Sequence, residues 1–143
     1  MTAFDRQVRA QIYRLFSEGM TVVDGAAMTE SRGWVAKEVE ASLDRLAEAH
    51  LIKLAEGSHR VEMAHPFSGT HTGYRSVVGD RSWNANCAWD ALALLALMGD
   101  GEAFAPGADG DLVWTVDDGN VSPDGVVHLL IPASRFWDDI GFT

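Results

Sequence analysis

The sequence predicts an α+β protein, in which a helical, winged-helix-like N-terminal region precedes an antiparallel sheet packed on one central helix. Helical spacing of apolar residues dominates the early part of the chain, whereas short strand-like segments separated by turn residues dominate the later part. One long apolar stretch of strong helix formers lies among those strands. A proline and a glycine within residues 64–69 interrupt the pattern, which divides the chain into a region 1–64 and a domain 65–143.

Two amphipathic helices are predicted in the N-terminal region. Apolar residues recur three or four positions apart from Phe4 to Phe16, which predicts a helix over residues 3–17. The same spacing, with charged side chains on the opposite face, predicts a second helix over residues 34–50. Residues 20–32 between them are compatible with a short strand or a short helix, and the sequence leaves both open.

A β-hairpin is predicted after the second helix, with strands over residues 51–54 and 60–63. Helices followed by a hairpin form the outline of a winged helix-turn-helix, which makes DNA binding an alternative to consider. The charges argue against it, because residues 35–50 hold two basic and four acidic side chains, a net charge of −2. We therefore favour a helical region that packs against the second half of the chain.

The second half is predicted to contain mainly antiparallel strands. Strand patterns and turn residues place a hairpin over residues 74–78 and 81–85, which leads into the central helix. Residues 102–110 are predicted to be a loop and residues 112–116 a strand. The near-continuous apolar run 125–131 predicts a buried strand, and residues 133–139 predict a short helical turn.

The central helix holds the chain's single cysteine, Cys87. Asn86 is predicted to be the N-cap, because its side-chain oxygen can accept a bond from an unpaired backbone N–H. Cys87 then falls in the first turn, Asp90 lies one turn further on the same face, and Gly99 ends the helix.

This placement suggests chemistry for Cys87 and Asp90. The positive end of a helix dipole favours the thiolate, which is both a nucleophile and a soft-metal ligand, and a neighbouring carboxyl can transfer a proton. The carboxylate opposes the dipole by raising the thiol pKa, so the two groups should titrate as a coupled pair. A simpler interpretation is that Cys87 is a small buried hydrophobe and Asp90 a favourable dipole partner.

Composition restricts the classes of function. The 143 residues carry a formal net charge of −10, which argues against nucleic acid and against anionic membrane surfaces as partners. One cysteine excludes an internal disulfide framework and fits a reducing compartment. No signal peptide or membrane span is apparent, so a cytoplasmic location is expected. Neither a four-ligand zinc spacing nor a phosphate-binding loop occurs, so no cofactor is expected.

Several segments resemble a known family. They are His65-Pro66-Phe67-Ser68, Asn86-Cys87-Ala88-Trp89-Asp90-Ala91-Leu92, His128-Leu129-Leu130-Ile131-Pro132 and Phe136-Trp137-Asp138-Asp139-Ile140-Gly141-Phe142-Thr143. Their order, after a winged-helix-like region, resembles that of the alkylmercury lyase (organomercurial lyase) family over nearly the whole chain. The Cys-Ala-Trp-Asp segment and the last eight residues are the most specific parts.

The resemblance implies protonolysis of a carbon–mercury bond. Cys87 matches the family's first mercury-binding cysteine and Asp90 its proton-donating aspartate, which makes both candidate catalytic residues and metal ligands. The family's second cysteine directly follows a Phe-Thr pair like Phe142-Thr143, where this sequence ends. The sequence is therefore either truncated there or a short natural relative. An external thiol, either a low-molecular-weight thiol such as glutathione or a cysteine of a partner protein, is expected to supply the missing ligand.

Two alternatives remain open beside the lyase. One is a non-catalytic protein that binds or senses mercury or another soft metal on the same fold. The other is a structural or regulatory module in which Cys87 is buried and inert. An apolar edge at residues 140–143 would also favour a homodimer.

Overall fold

The computed structural model of the chain describes residues 1–126 and 128–141. Three helices and a three-stranded sheet come first, and a five-stranded antiparallel sheet with one packed helix follows. The prediction of an α+β fold is confirmed. Within these residues, every helix is too short or too polar to cross a lipid bilayer.

The N-terminal helices are α1 (Ala3–Ser17), α2 (Gly25–Arg32) and α3 (Ala36–Glu48). Helix α1 has the predicted bounds, and Thr2 and Asp5 cap its start with reciprocal hydrogen bonds. The sequence left a short strand and a short helix open for residues 20–32, and the structure shows the helix α2 there. Both α1 and α2 pack on α3 and bury their apolar faces there.

The first sheet contains β1 (Lys53–Leu54), β2 (Val61–Ala64) and β3 (Phe67–Ser68), in that spatial order and all antiparallel. The turn between β2 and β3 holds His65 and lies at the predicted boundary. Residues on both sides of it contribute to one hydrophobic core. The division at residues 64 and 65, like the winged-helix interpretation, stays a prediction.

The second sheet has the strand order β5-β4-β6-β7-β8. Its strands are β4 (Arg75–Val78), β5 (Arg81–Asn84), β6 (Gly101–Ala105), β7 (Leu112–Asp117) and β8 (Asn120–Ser122). Helix α4 (Ala88–Met98) packs on β4 and β6, where the Ser76 hydroxyl donates to the Ala91 carbonyl at 2.6 Å.

Residues 102–105 were predicted to be a loop, and this prediction was wrong. They belong to β6, which pairs with β4 on one side and β7 on the other. A glycine starts this strand because a Cβ at Gly101 would lie 2.0 Å from the Val77 carbonyl oxygen. Long-range pairing therefore outweighs the loop-like local sequence.

The predicted buried strand at residues 125–131 was also wrong. Residues 125, 126 and 128–131 form no strand, and the exposed fractions of Val126 and Leu130 are 94% and 81%. Strand β8 takes the place beside β7, which leaves the described residues of the apolar run without a strand partner. Val127 lies outside the described residues.

The last described element is a 3₁₀ helix over Ala133–Asp138, which confirms the predicted helical turn. Its Trp137 ring stacks on the His50 ring, with centroids 4.6 Å apart, so this segment lies against the N-terminal region. Phe142 and Thr143, which carry part of the family resemblance, lie outside the described residues. The homodimer expected from residues 140–143 stays a prediction.

Candidate active site

Helix α4 begins one residue later than predicted. Cys87, in an extended conformation, is the N-cap, and Ala88 is the first helical residue. Asn86 lies before the cap, and its amide nitrogen donates to the Phe67 carbonyl at 3.2 Å and to Asp90 Oδ2 at 2.9 Å. Its Oδ1 is buried and accepts no hydrogen bond from the described residues. Cys87 therefore precedes the first turn of the helix.

The Cys87 thiol is partly buried at this helix end. Burial is the main cause that raises its pKa above the usual value, and the nearby Asp90 carboxylate adds to the rise. The backbone N–H groups of Asp90 and Trp89 favour the thiolate but compensate only in part. The backbone at the helix start thus favours the thiolate as expected, but burial has the larger effect on the pKa. The Asp90 carboxylate raises the thiol pKa, also as expected.

Asp90 lies in the first turn of α4 and is 7% exposed. Its Oδ2 accepts a hydrogen bond from Asn86 Nδ2 at 2.9 Å and is hydrogen-bonded to His65 Nδ1 at 3.0 Å. The His65 side chain is 44% exposed, so it connects the buried carboxyl to the surface. The β2–β3 turn, through His65, and the segment before α4, through Asn86, thus both bond to this carboxyl of the helix.

His65 is the functional candidate that sequence analysis missed. The sequence shows no metal-ligand spacing between His65 and Cys87, which suggested a surface or hydrogen-bonding residue. Nothing local connected His65 to Asp90, which is 25 positions away. The contact depends on how the β2–β3 hairpin folds against the start of α4. Only a structure or a contact prediction would have revealed it.

Sequence analysis assigned both Cys87 and Asp90 as metal ligands. Within residues 1–126 and 128–141, no group of three histidine, cysteine or acidic side chains is arranged to hold a metal ion.

A separate cleft of about 150 Å³ opens between the end of α1 and strands β3 and β5. Aromatic rings of Phe16, Phe67 and Trp83 form its apolar side. It shares the β3 strand with the Cys87 site, but neither Cys87 nor Asp90 lines it. We therefore place the candidate chemistry at the start of α4 rather than in this cleft.

Among solved structures, the crystal structure of the mercury-bound form of MerB2 has a similar fold, with a TM-score of 0.65 and 22% sequence identity. The matched region covers 87% of this chain but only 62% of that chain. No protein-family model matches the sequence, and no curated protein matches it either. The likeness shows that the chain has a MerB-like fold.

Proposed function

We propose that this protein is an organomercurial lyase-like protein that cleaves a carbon–mercury bond by protonolysis. The observation that carries the proposal is the pairing at the start of α4 of a partly buried thiol, Cys87, with a buried carboxyl, Asp90, close enough to raise the thiol pKa. The similarity of the fold to a mercury-bound protein supports mercury as the metal. The resemblance of the Cys-Ala-Trp-Asp segment to the alkylmercury lyase family supports Cys87 as the mercury ligand and Asp90 as the proton donor.

Cys87 is the mercury ligand in this proposal. Because its pKa is raised, the resting group at neutral pH is mainly the thiol, which must lose its proton when sulfur binds mercury. The Asp90 carboxylate is the nearby group that can accept this proton. The product of this first step is a Cys87–sulfur–mercury–carbon linkage beside a protonated Asp90.

Asp90 then returns the proton to the carbon. The carbon–mercury bond breaks, its electron pair forms the new carbon–hydrogen bond, and the hydrocarbon leaves. Mercury remains Hg(II), so no oxidant or reductant is required, and Asp90 returns to its carboxylate form. A thiolate from a low-molecular-weight thiol binds the Hg(II) beside Cys87 and then helps to remove it.

A second candidate function is non-catalytic binding or sensing of a soft metal. It is favoured by the single cysteine, since one thiolate can capture methylmercury without providing a second soft ligand to release the carbon. The two candidates share the first step and differ in whether a hydrocarbon is released.

The test is incubation with methylmercury and excess thiol, with methane followed in the headspace and protein adducts followed by mass spectrometry. The lyase predicts methane that depends steeply on added thiol and disappears in Cys87→Ser, which is a complete thiol-free control because the chain has no other cysteine. A stable adduct without methane would support the binding protein. Methane that survives Cys87→Ser, or the absence of both methane and any adduct, would contradict the proposal.

A further inference from the structure

We infer that His65 is a positioning residue for Asp90: together with Asn86 it determines that Oδ1, not Oδ2, carries the proton that Asp90 transfers. The inference rests on the proposed protonolysis and adds to it the residue that orients the proton donor. It concerns the pair of hydrogen bonds that we call the Asp90 clamp, formed by His65 Nδ1 and Asn86 Nδ2.

Both bonds of the Asp90 clamp end on the same carboxyl oxygen. Among the described residues, Oδ2 receives Asn86 Nδ2 at 2.9 Å and His65 Nδ1 at 3.0 Å, and these are the hydrogen bonds of this carboxyl. A carboxyl oxygen has two lone pairs, and two donors occupy both. A proton taken up by Asp90 must then bind Oδ1.

The chemistry of the partners also fixes the form of the histidine. The amide nitrogen of Asn86 can only donate, which makes Oδ2 an acceptor. In its carboxylate form Asp90 can only accept, so the hydrogen of the bond between Oδ2 and His65 must lie on Nδ1. The bond to His65 thereby selects one ring tautomer and one orientation of the carboxyl.

The elements around the Asp90 clamp keep it in place. Asn86 also donates to the Phe67 carbonyl at 3.2 Å, which ties the β2–β3 hairpin to the start of α4. The carboxyl thus cannot rotate about its last bond without losing donors from two separate elements. Small errors in the placement of a proton donor reduce rates strongly, which makes this restriction useful for the transfer.

The functional test compares His65→Ala with His65→Asn. The alanine variant loses the donor, and we expect kcat for methane release to fall about 10- to 100-fold, as is common when a supporting hydrogen bond is removed. The KM for methylmercury should stay unchanged because Cys87 captures the metal. The asparagine amide can place a donor where Nδ1 lies, so His65→Asn should restore most of kcat.

A matched control is available on the surface. His59 Nε2 bonds to Asp44 Oδ1 at 3.1 Å and forms a second histidine–aspartate pair, which includes neither Cys87 nor Asp90 and whose aspartate side chain is 64% exposed. We expect His59→Ala to leave both kcat and KM unchanged. A loss of kcat in this variant equal to that in His65→Ala would overturn the specific role of His65.

A spectroscopic test does not depend on turnover. Nitrogen NMR should show the His65 ring with its hydrogen on Nδ1 in the wild-type protein, and Asp90→Ala should release this preference. A wild-type His65 with hydrogen on Nε2 only would overturn the Asp90 clamp. Failure of His65→Asn to restore kcat would overturn positioning, since it would mean that the reaction needs the ring itself.

Different results would contradict the proposed lyase function and the positioning role of His65. If the wild-type protein captures methylmercury but releases no methane, the proposed function fails and the positioning role fails with it. If the wild-type protein releases methane and His65→Ala does so equally fast, only the role of His65 fails.

Discussion

Asp5 and Asp90 occupy the same position in two helices, three residues after the N-cap, and both are buried. Asp5 is 0% exposed and accepts hydrogen bonds from the Thr2 backbone, the Ser42 hydroxyl and the Arg45 guanidinium. Asp90 instead accepts from an amide and an imidazole. One carboxyl thus faces a permanent positive charge, and the other does not.

This difference shows how one local pattern can serve two purposes. The Arg45 guanidinium, aided by the other donors, holds the pKa of Asp5 far below its usual range although burial alone would raise it. Asp5 therefore stays ionised and acts as a structural link between α1 and α3. A carboxyl that must accept and return a proton needs partners without a permanent charge, as at Asp90.

The largest effect on stability is expected at Asp5. Asp5→Asn removes the charge that faces Arg45 and directs an amide N–H group toward one of the existing donors, so we expect a loss of about 2–3 kcal/mol in the free energy of unfolding. Urea denaturation at neutral pH measures it. Asp80→Asn removes the same charge from an exposed turn and should change stability little. Equal losses of stability in the two variants would contradict the stabilising role of Asp5.

A smaller effect should appear as the pH falls. Because the pKa of Asp5 is lowered in the folded protein, the unfolded chain binds more protons below about pH 4, and the stability that Asp5 contributes decreases there. Wild type should therefore lose more stability than Asp5→Asn between pH 7 and pH 3. Urea midpoints at both pH values test this, and a constant difference between the two proteins would contradict it.

The smallest effect concerns the reactivity of Cys87. Burial and the Asp90 carboxylate raise the thiol pKa, so the alkylation rate should reach its half-maximum at a higher pH than it does for free cysteine. Asp90→Asn removes one of these causes and should move the midpoint to lower pH. Alkylation with iodoacetamide across a pH series measures both. A midpoint at or below that of free cysteine would contradict the burial of the thiol.

The sequence predicted the elements whose residues specify them locally. Helix α1 has a capping pair at its start and an apolar stripe along its length, and its bounds were correct. The start of α4 was misplaced by one residue, because Asn86 bonds to the Phe67 carbonyl of β3 and to the Asp90 side chain, and its oxygen caps no backbone N–H of α4. Local capping preference cannot reveal such a distant partner.

The errors in the strands and the missed histidine have the same physical origin. Strand β6 forms because β4 and β7 lie on both sides of it. Residues 125, 126 and 128–131 of the apolar run form no strand because β8 takes the place beside β7. His65 likewise acquires its importance only through the fold. Cys87 and Asp90, by contrast, are close in sequence and on one helix, so their proximity was predictable.

The role of Asp90 as the proton donor is tested by measuring methane release by Asp90→Asn. The asparagine oxygen can still accept the two bonds of the Asp90 clamp, but the side chain has no proton to transfer. We expect the variant to form the Cys87–methylmercury adduct and to release methane about 10²- to 10⁴-fold more slowly than wild type. Asp5→Asn, measured at a temperature where it is folded, should keep its turnover. Methane release by Asp90→Asn at the wild-type rate would contradict the assignment of Asp90 as the proton donor.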